Sequence, residues 1–464
     1  MKRLLAALKD LLTALKDLLT ARQFHRSICT LALPMALAAI LSSSLQIVDT
    51  LMIARLGDDA VAAVGLANRL TYVLSFFTSG LASGAGIFTA QFWGRRDTDG
   101  VRRTFTLSML LALPIAAAFC AVACLCPEAV MRVFSKEAAV IEMGCDYLRL
   151  IGAAYLFQAA TAVLSALLKS TERPRLPLIA SAAGILLNIL LNWLLIFGKL
   201  GLPAMGARGA ALATLISAGV ETALLAVLSR AKNAQVSLNR RSFLAPGAAF
   251  TRQYLKTTIP VLCNDVGWAL GVVATTWVYS TMGTSAAAAA SVYETIKAFI
   301  IVCCVAIGSA GGVLVGMELG AGRVEAAEKS ASRMLTLGVV AAVALCPVLL
   351  LLIDPLMTLY ADMSAEAISS LRVMLQVLSI LFWIKMCNYN LINGVLRAGG
   401  DTRAAALIDV GCMWSVAVPL VFVSGYVLKW PLIYVFPLTF IEDAAVALLA
   451  YRRYRQGVWK RRLV

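Results

Sequence analysis

Apolar residues run in stretches of about 20 or more from one end of the chain to the other, separated by short polar segments. An α-helix rises 1.5 Å per residue, so about 20 apolar residues cross the roughly 30 Å hydrocarbon layer of a bilayer. Twelve stretches meet that requirement, near 29–54, 61–90, 104–124, 140–168, 177–198, 207–229, 257–281, 286–318, 334–353, 367–394, 404–427 and 431–451. The pattern predicts an all-α polytopic membrane protein with twelve transmembrane helices. Several stretches exceed the minimum, which implies tilt or extension beyond the bilayer. Ahead of them, LLAALKD, LLTALKD and LLTA repeat every seven residues, with Leu4, Leu8, Leu11, Leu15 and Leu18 on one seam. This predicts an amphipathic helix over 1–26, lying on the membrane surface.

The polar segments divide the chain further. Basic residues concentrate in alternate loops: Arg95, Arg96, Arg102 and Arg103, then Lys169, Arg173 and Arg175, then Arg230–Lys256, then the tail RRYRQGVWKRR. The positive-inside rule places these segments, and both termini, in the cytoplasm of a cell whose inner membrane holds the protein. An overall charge of +16 with 61% hydrophobic and 14% charged residues therefore points to membrane topology and away from nucleic acid. The single histidine, His25, removes histidine-based metal sites and relays. Of the eleven cysteines, Cys120, Cys124, Cys303, Cys304 and Cys412 fall inside apolar stretches and read as small hydrophobes.

An internal repeat sets the architecture. Shifted by 226 residues, Pro34 meets Pro260, Gly57 meets Gly283, Gly86 meets Gly312 and Gly94 meets Gly320. Shifted by 228, Pro127 meets Pro355 and Lys169 meets Arg397. Six spans per half give two parallel-repeat six-helix lobes around a central cavity, a transporter arrangement. The expected division is an N-lobe over 27–229, a linker over 230–256, a C-lobe over 257–452 and a basic tail over 453–464.

Candidate chemistry lies where ionisable groups interrupt the spans, because a charge at membrane depth is costly and usually functional. Asp49 sits inside the first span, with Ser42 and Gln46 on its helical face. In the fifth, Asn188 and Asn192 are one turn apart. Asn264, Asp265 and Trp268 occupy the seventh; Tyr293, Glu294 and Lys297 the eighth; Lys385 and Asn388 the tenth. Arg69 belongs to the second. Glu294 and Lys297, three residues apart, predict an internal ion pair. Arg69, Lys297 and Lys385 raise the expectation that the cavity tolerates anionic as well as cationic compounds. The motifs GRRDTDG and RAGGDTR lack a P-loop signature and read as helix caps with positive-inside charge.

The stretches VDTLMIARLG, GIFTAQFWGRRD, NILLNWLLIFG and LRAGGDTR, in order over about residues 30–450, resemble the multidrug and toxic compound extrusion (MATE) family. IPVLCNDVGWALGVV and KMCNYNLINGVLRAGGDTR resemble its DinF-like prokaryotic branch. The resemblance implies export of small amphipathic compounds driven by inward proton or sodium movement, without a cofactor, by a monomer in the bilayer. It implies that Asp49 is the ion-coupling carboxylate, with Gln46, Asn188 and Asn192 around it. Some proton-coupled relatives carry Asp where this chain has Asn192, so one N-lobe carboxylate stands where those relatives have two. Met386 occupies about the place of the tenth-helix Asp of the sodium-coupled NorM branch, and Asn264–Asp265 resembles an Asn–Glu pair of the DinF-like branch. No metal site is expected, except that Asp49 with neighbouring Asn and Ser oxygens suits a sodium ion. The alternative is a flippase for a lipid-linked or anionic amphipathic substrate on the same fold. An enzyme is not expected, since no nucleophile, metal cluster or paired acids gather at a membrane surface.

Overall fold

A computed structural model describes residues 17–18, 21–232, 244–360 and 363–464. Most of the seven-residue repeat and the middle of the expected linker lie outside the described residues. Every regular element among the described residues is a helix. Twelve are long and apolar enough to cross a membrane: α1 Arg22–Ala54, α2 Asp58–Gly94, α3 Thr98–Leu125, α4 Ala138–Ser170, α5 Arg175–Phe197, α6 Ala207–Ala231, α7 Ala248–Thr281, α8 Thr284–Gly320, α9 Val324–Leu359, α10 Ala365–Arg397, α11 Thr402–Val427 and α12 Leu432–Arg455. Leu33, Leu51, Leu186, Val273 and Leu351 are among the many large apolar side chains on their outer surfaces. In water such a surface would be untenable; in hydrocarbon it is the natural solvent-facing surface.

Each expected span lies on one of these helices. The helices start earlier where polar residues precede the apolar run: α1 at Arg22, α7 at Ala248 and α9 at Val324. Hydropathy marks only the apolar part of a helix whose backbone bonds continue into the polar flank. Residues 22–26, expected in a separate surface helix, are therefore the first turn of α1.

The repeat is written in the backbone. α2 and α8 have 37 residues each and begin just after Gly57 and Gly283, whose φ angles are 102° and 123°. Only glycine adopts that conformation without strain, so the two turns keep the same residue at the same place. The halves differ at the third helix of each. α3 ends at Cys126, and a separate short helix, Pro127–Phe134, follows. α9 instead runs through Pro347 and Pro355 without a break.

The chain divides into two compact units, Pro34–Thr258 and Met1–Leu33 with Ile259–Val464. We call them the N-lobe and the C-lobe. The division falls at Pro34 in α1 and one residue before Pro260 in α7, so each helix begins in one unit and continues in the other. In the N-lobe, Tyr254 of α7 is fully buried, shares a hydrogen bond with Ser108 (2.9 Å) and stacks on Phe88. In the C-lobe, Phe24, Ile28 and Leu31 of α1 are buried, and Arg333 of α9 grips Asp17 with two hydrogen bonds of 2.8 Å. That grip holds the Asp17 carboxyl below its ordinary value.

The tail is not free. Trp459 is wholly buried, stacks on Tyr454 and donates to its carbonyl at 3.1 Å. Asp401, in RAGGDTR, receives Arg453 at 2.7 Å and Arg461 at 3.1 Å, and Lys460 pairs with Glu328 at 2.7 Å. Residues 453–461 thus clamp the α10–α11 turn within the C-lobe. Opposite charge decides the outcome, since a basic tail passing a buried carboxylate gains by closing on it. In the N-lobe, Asp97 caps α3 by accepting from the Gly100 amide at 2.8 Å.

Small residues let helices touch. At Gly209 on α6 an added Cβ would lie 2.7 Å from the Leu195 carbonyl carbon and oxygen on α5. Backbone cannot retreat as a side chain can, so Gly209→Ala should lower the stability of the folded protein by about 1–3 kcal/mol, the usual range for overpacking. Gly65→Ala meets nothing within 4 Å and should melt at or slightly above the wild-type temperature. Fluorescence-detected melting of both variants in detergent checks the pair.

Candidate functional site

In the N-lobe, α1 and α5 meet at Asp49. Asn192 uses one amide nitrogen twice, donating to Asp49 Oδ1 at 2.7 Å and to Asn188 Oδ1 at 2.9 Å. Asn188 in turn donates to Ser217 Oγ at 3.2 Å and Thr214 Oγ1 at 3.4 Å, both on α6. The four-residue spacing of the asparagines stacks them on one face of α5, and both are buried. Tyr147 of α4 lies within electrostatic reach of Asp49 and donates to Asn68 at 3.3 Å. Asp49 has no ion-pair partner among the described residues. A half-buried carboxyl with one amide donor and no base is set to take its positive partner from outside, as a proton or a cation.

Gln46 does not join this group. It is exposed, and its side chain has no hydrogen bond among the described residues, while Ser42 donates to its own helix at Ala38. Three residues on a helix are turned about 60° apart, enough to aim Gln46 away from α5 when Asp49 faces it. The repeat-related Thr275 also bonds only its own helix, at Val272. The two lobes share a fold and differ in chemistry.

The C-lobe gathers the other candidates around carboxylates that hydropathy did not single out. Lys385 of α10 pairs with Asp443 of α12 at 2.6 Å, with its ammonium 4.8 Å from the Phe440 ring. Asn388, one turn on, donates to the same carboxylate at 3.1 Å and to the Asp443 backbone carbonyl at 2.9 Å. Asn264 donates to Asp409 of α11 at 2.8 Å. Glu442 is buried within electrostatic reach of Asp443, Lys385 and Asp409. The Glu294–Lys297 pair forms as expected, at 2.5 Å, and Lys297 lies 5.4 Å from the centre of the Tyr293 ring. Tyr293 is buried edge-on against Phe436, and Met386 is buried.

Asp265 pairs with Arg397 at 2.8 Å. The apolar stretch ends near 394 and RAGGDTR suggests loop charge, yet α10 continues as a π-helical turn over Asn390–Arg397 and carries the guanidinium inward. Trp268, expected beside Asp265, is exposed at 43% and makes no polar contact among the described residues. Arg69 is also exposed and unpaired among the described residues. Sequence reading missed Asp409, Glu442, Asp443 and, in the N-lobe, Glu221. Each is an ionisable residue inside an apolar stretch, the same signal that marked Asp49.

Twelve membrane-length helices in two repeated units, with ionisable groups buried inside them, define a multi-pass membrane transporter. A model of the MatE family matches residues 34–194 and 266–423, and the chain belongs to this MATE family of multidrug efflux transporters. It is similar to "Uncharacterized transporter YisQ" of Bacillus subtilis (strain 168), 25% identical over 93% of this chain and 94% of that one. It is equally similar, at 25% over 95% of both chains, to "Probable multidrug resistance protein YoeA" of the same organism. Among solved structures, a multidrug resistance MATE family transporter in an outward-facing conformation superposes with a TM-score of 0.84. It is 20% identical over 94% of this chain and 96% of that one. At that identity the likeness is one of fold.

Breaking a buried ion pair from one side leaves a stranded charge, at a cost of about 3–5 kcal/mol, whereas replacing both partners with apolar residues removes the penalty. Lys385→Met should therefore lower the melting temperature clearly, and Lys385→Met with Asp443→Leu should recover most of the loss. Thermal melts of wild type, both single variants and the double variant in detergent measure that coupling.

Proposed function

We propose that the protein exports amphipathic, often cationic, compounds in exchange for protons by alternating access of its two lobes. The observation that carries this reading is Asp49, a carboxyl inside a membrane helix whose hydrogen bond comes from an amide and whose charge has no paired base among the described residues. Such a group binds a positive charge when it faces one compartment and gives it up when it faces the other. The multidrug resistance name of a relative supports the direction and the cargo. Sodium is the competing ion: turning the Asn192 amide over would present its unpartnered Oδ1 to a hard cation beside Asp49. The driving force is an ion gradient, with no cofactor. The inner membrane is the proposed location, with both termini in the cytoplasm.

A flippase or exporter of anionic amphipaths is less well supported. Of the three bases behind that reading, Lys297 is neutralised by Glu294 and Lys385 by Asp443.

In proteoliposomes with an imposed proton gradient, ethidium should accumulate against its own gradient. Asp49→Asn keeps the Asn192 contact and removes the exchangeable charge, so uphill transport should fall at least tenfold while ethidium binding in detergent stays near wild type. Transport driven equally by a sodium gradient alone would replace the proton in this scheme. Ethidium movement indifferent to both gradients would refute it.

A further inference from the structure

Below the Asp49 group, the seam between α5 and α6 stays polar. On α5, Ser181, Gly184, Asn188 and Asn192 follow one another at three- and four-residue spacings; on α6, Thr214, Ser217 and Glu221 do the same. The seam runs from Asn192 to Ser181, eleven residues of α5 or about 16 Å. At its far end lies Glu221, ten residues before the end of α6 at Ala231. Ser181 Oγ donates to Glu221 Oε1 at 2.5 Å. Gly184 makes the room: a Cβ there would stand 3.1 Å from Glu221 Cβ and 3.3 Å from Oε2. The carboxyl is laid flat against α5, on the face that leads to Asn188.

The charged side chain acting on Glu221 is Lys169, at the last turn of α4. These two do not form a closed ion pair. Lys169 makes no ion pair or hydrogen bond among the described residues, and its charge acts on Glu221 through space. A structural salt bridge therefore does not account for Glu221. The seam has instead a carboxyl at each end: Asp49 held by an amide, and Glu221 held by a hydroxyl.

We propose that Glu221 is a second proton-binding residue of the N-lobe, exchanging a proton with the cytoplasmic side in the transport cycle that Asp49 begins from the other. This rests on the proton-exchange reading above. The second carboxyl is supplied from α6, where Asn192 leaves none on α5. When Glu221 is ionised, the Ser181 O–H donates to it and Lys169 supplies the balancing charge. On protonation a new O–H bond forms on a Glu221 oxygen, the carboxylic acid donates to Ser181 Oγ, and the Ser181 proton turns to another acceptor. The proton comes from a hydronium ion on the cytoplasmic side, whose O–H bond breaks as the carboxyl O–H forms and which leaves as water; the proton count of the protein rises by one. Water and the Thr214 and Ser217 hydroxyls are the groups along the seam able to pass a proton; the amides hold the geometry.

Infrared difference spectra of the purified full chain between acid and alkaline pH report protonated carboxyl groups through their C=O stretch, without any transported compound. Wild type should show a carboxyl band that Glu221→Gln removes, Asp49→Asn leaves in place and Ser181→Ala shifts. Glu221→Asp should restore it at a displaced position. In proteoliposomes Glu221→Gln should lose proton-driven ethidium accumulation at least tenfold while ethidium–ethidium exchange survives. Spectra unchanged by both Glu221→Gln and Ser181→Ala would overturn the proposal. So would intact uphill transport in Glu221→Gln where Asp49→Asn has lost it; that outcome spares the role of Asp49. Transport unaffected by either substitution would bring down the exchange reading itself. Should Glu221→Gln fold poorly, Ser181→Ala keeps the carboxyl and still reports on it through the band shift.

Discussion

Hydrocarbon does not solvate charge, and that constraint organises the interior of this protein. Each ionisable side chain in a membrane helix must find a partner there, reach the surface, or stay neutral. Three bases of the C-lobe take the first course. Lys385 closes on Asp443, Lys297 on Glu294 and Arg397 on Asp265, so three bases are each tied to a carboxylate. Two acids of the N-lobe, like Asp409 of the C-lobe beside the Asn264 amide, meet neutral donors instead. Asp49 is met by the Asn192 amide and Glu221 by the Ser181 hydroxyl, neutral donors that accept either state of the acid with little rearrangement.

A carboxylate locked to a base at 2.6 Å releases its charge only at high cost, and suits a structural role. A carboxyl held by amides and hydroxyls gains and loses a positive charge more cheaply, and suits exchange with solvent. The fold repeats and the charges do not: Thr275 stands where Asp49 would recur, and Asp409 of the C-lobe stands where Ser181 recurs. The same contrast appears at the chain ends. Both Asp17 and Asp401 are gripped by arginines, fastening the N-terminal approach to α1 and the C-terminal tail to the C-lobe.

Helix connectivity adds a mechanical element. α1 and α7 each change unit at a proline, Pro34 or beside Pro260, where a backbone hydrogen bond is lost and the helix bends most readily. Asp49 lies fifteen residues beyond Pro34 on the same helix. The equivalent stretch of α7 carries Asn264 and Asp265 a single turn past Pro260, and both are bound to the C-lobe through Asp409 and Arg397.

Sequence alone determined the number of spans, their repeat and the family, and it singled out Asp49, because each follows from local rules. Apolar length sets the spans, glycine and proline register the repeat, and a charge among leucines needs a reason. The Glu294–Lys297 pair was legible for the same cause, being three residues apart on one helix. Only tertiary structure decided who meets whom across helices. Asp443 lies 58 residues from Lys385, Arg397 lies 132 from Asp265, and Asn192 lies 143 from Asp49. Nothing local fixes such distances: they depend on the rotation and register of packed helices, on a π-helical turn that brings Arg397 inward, and on Gly184 leaving space for Glu221. The chain announces its charges one at a time; packing decides which are tied to a base and which meet only neutral donors.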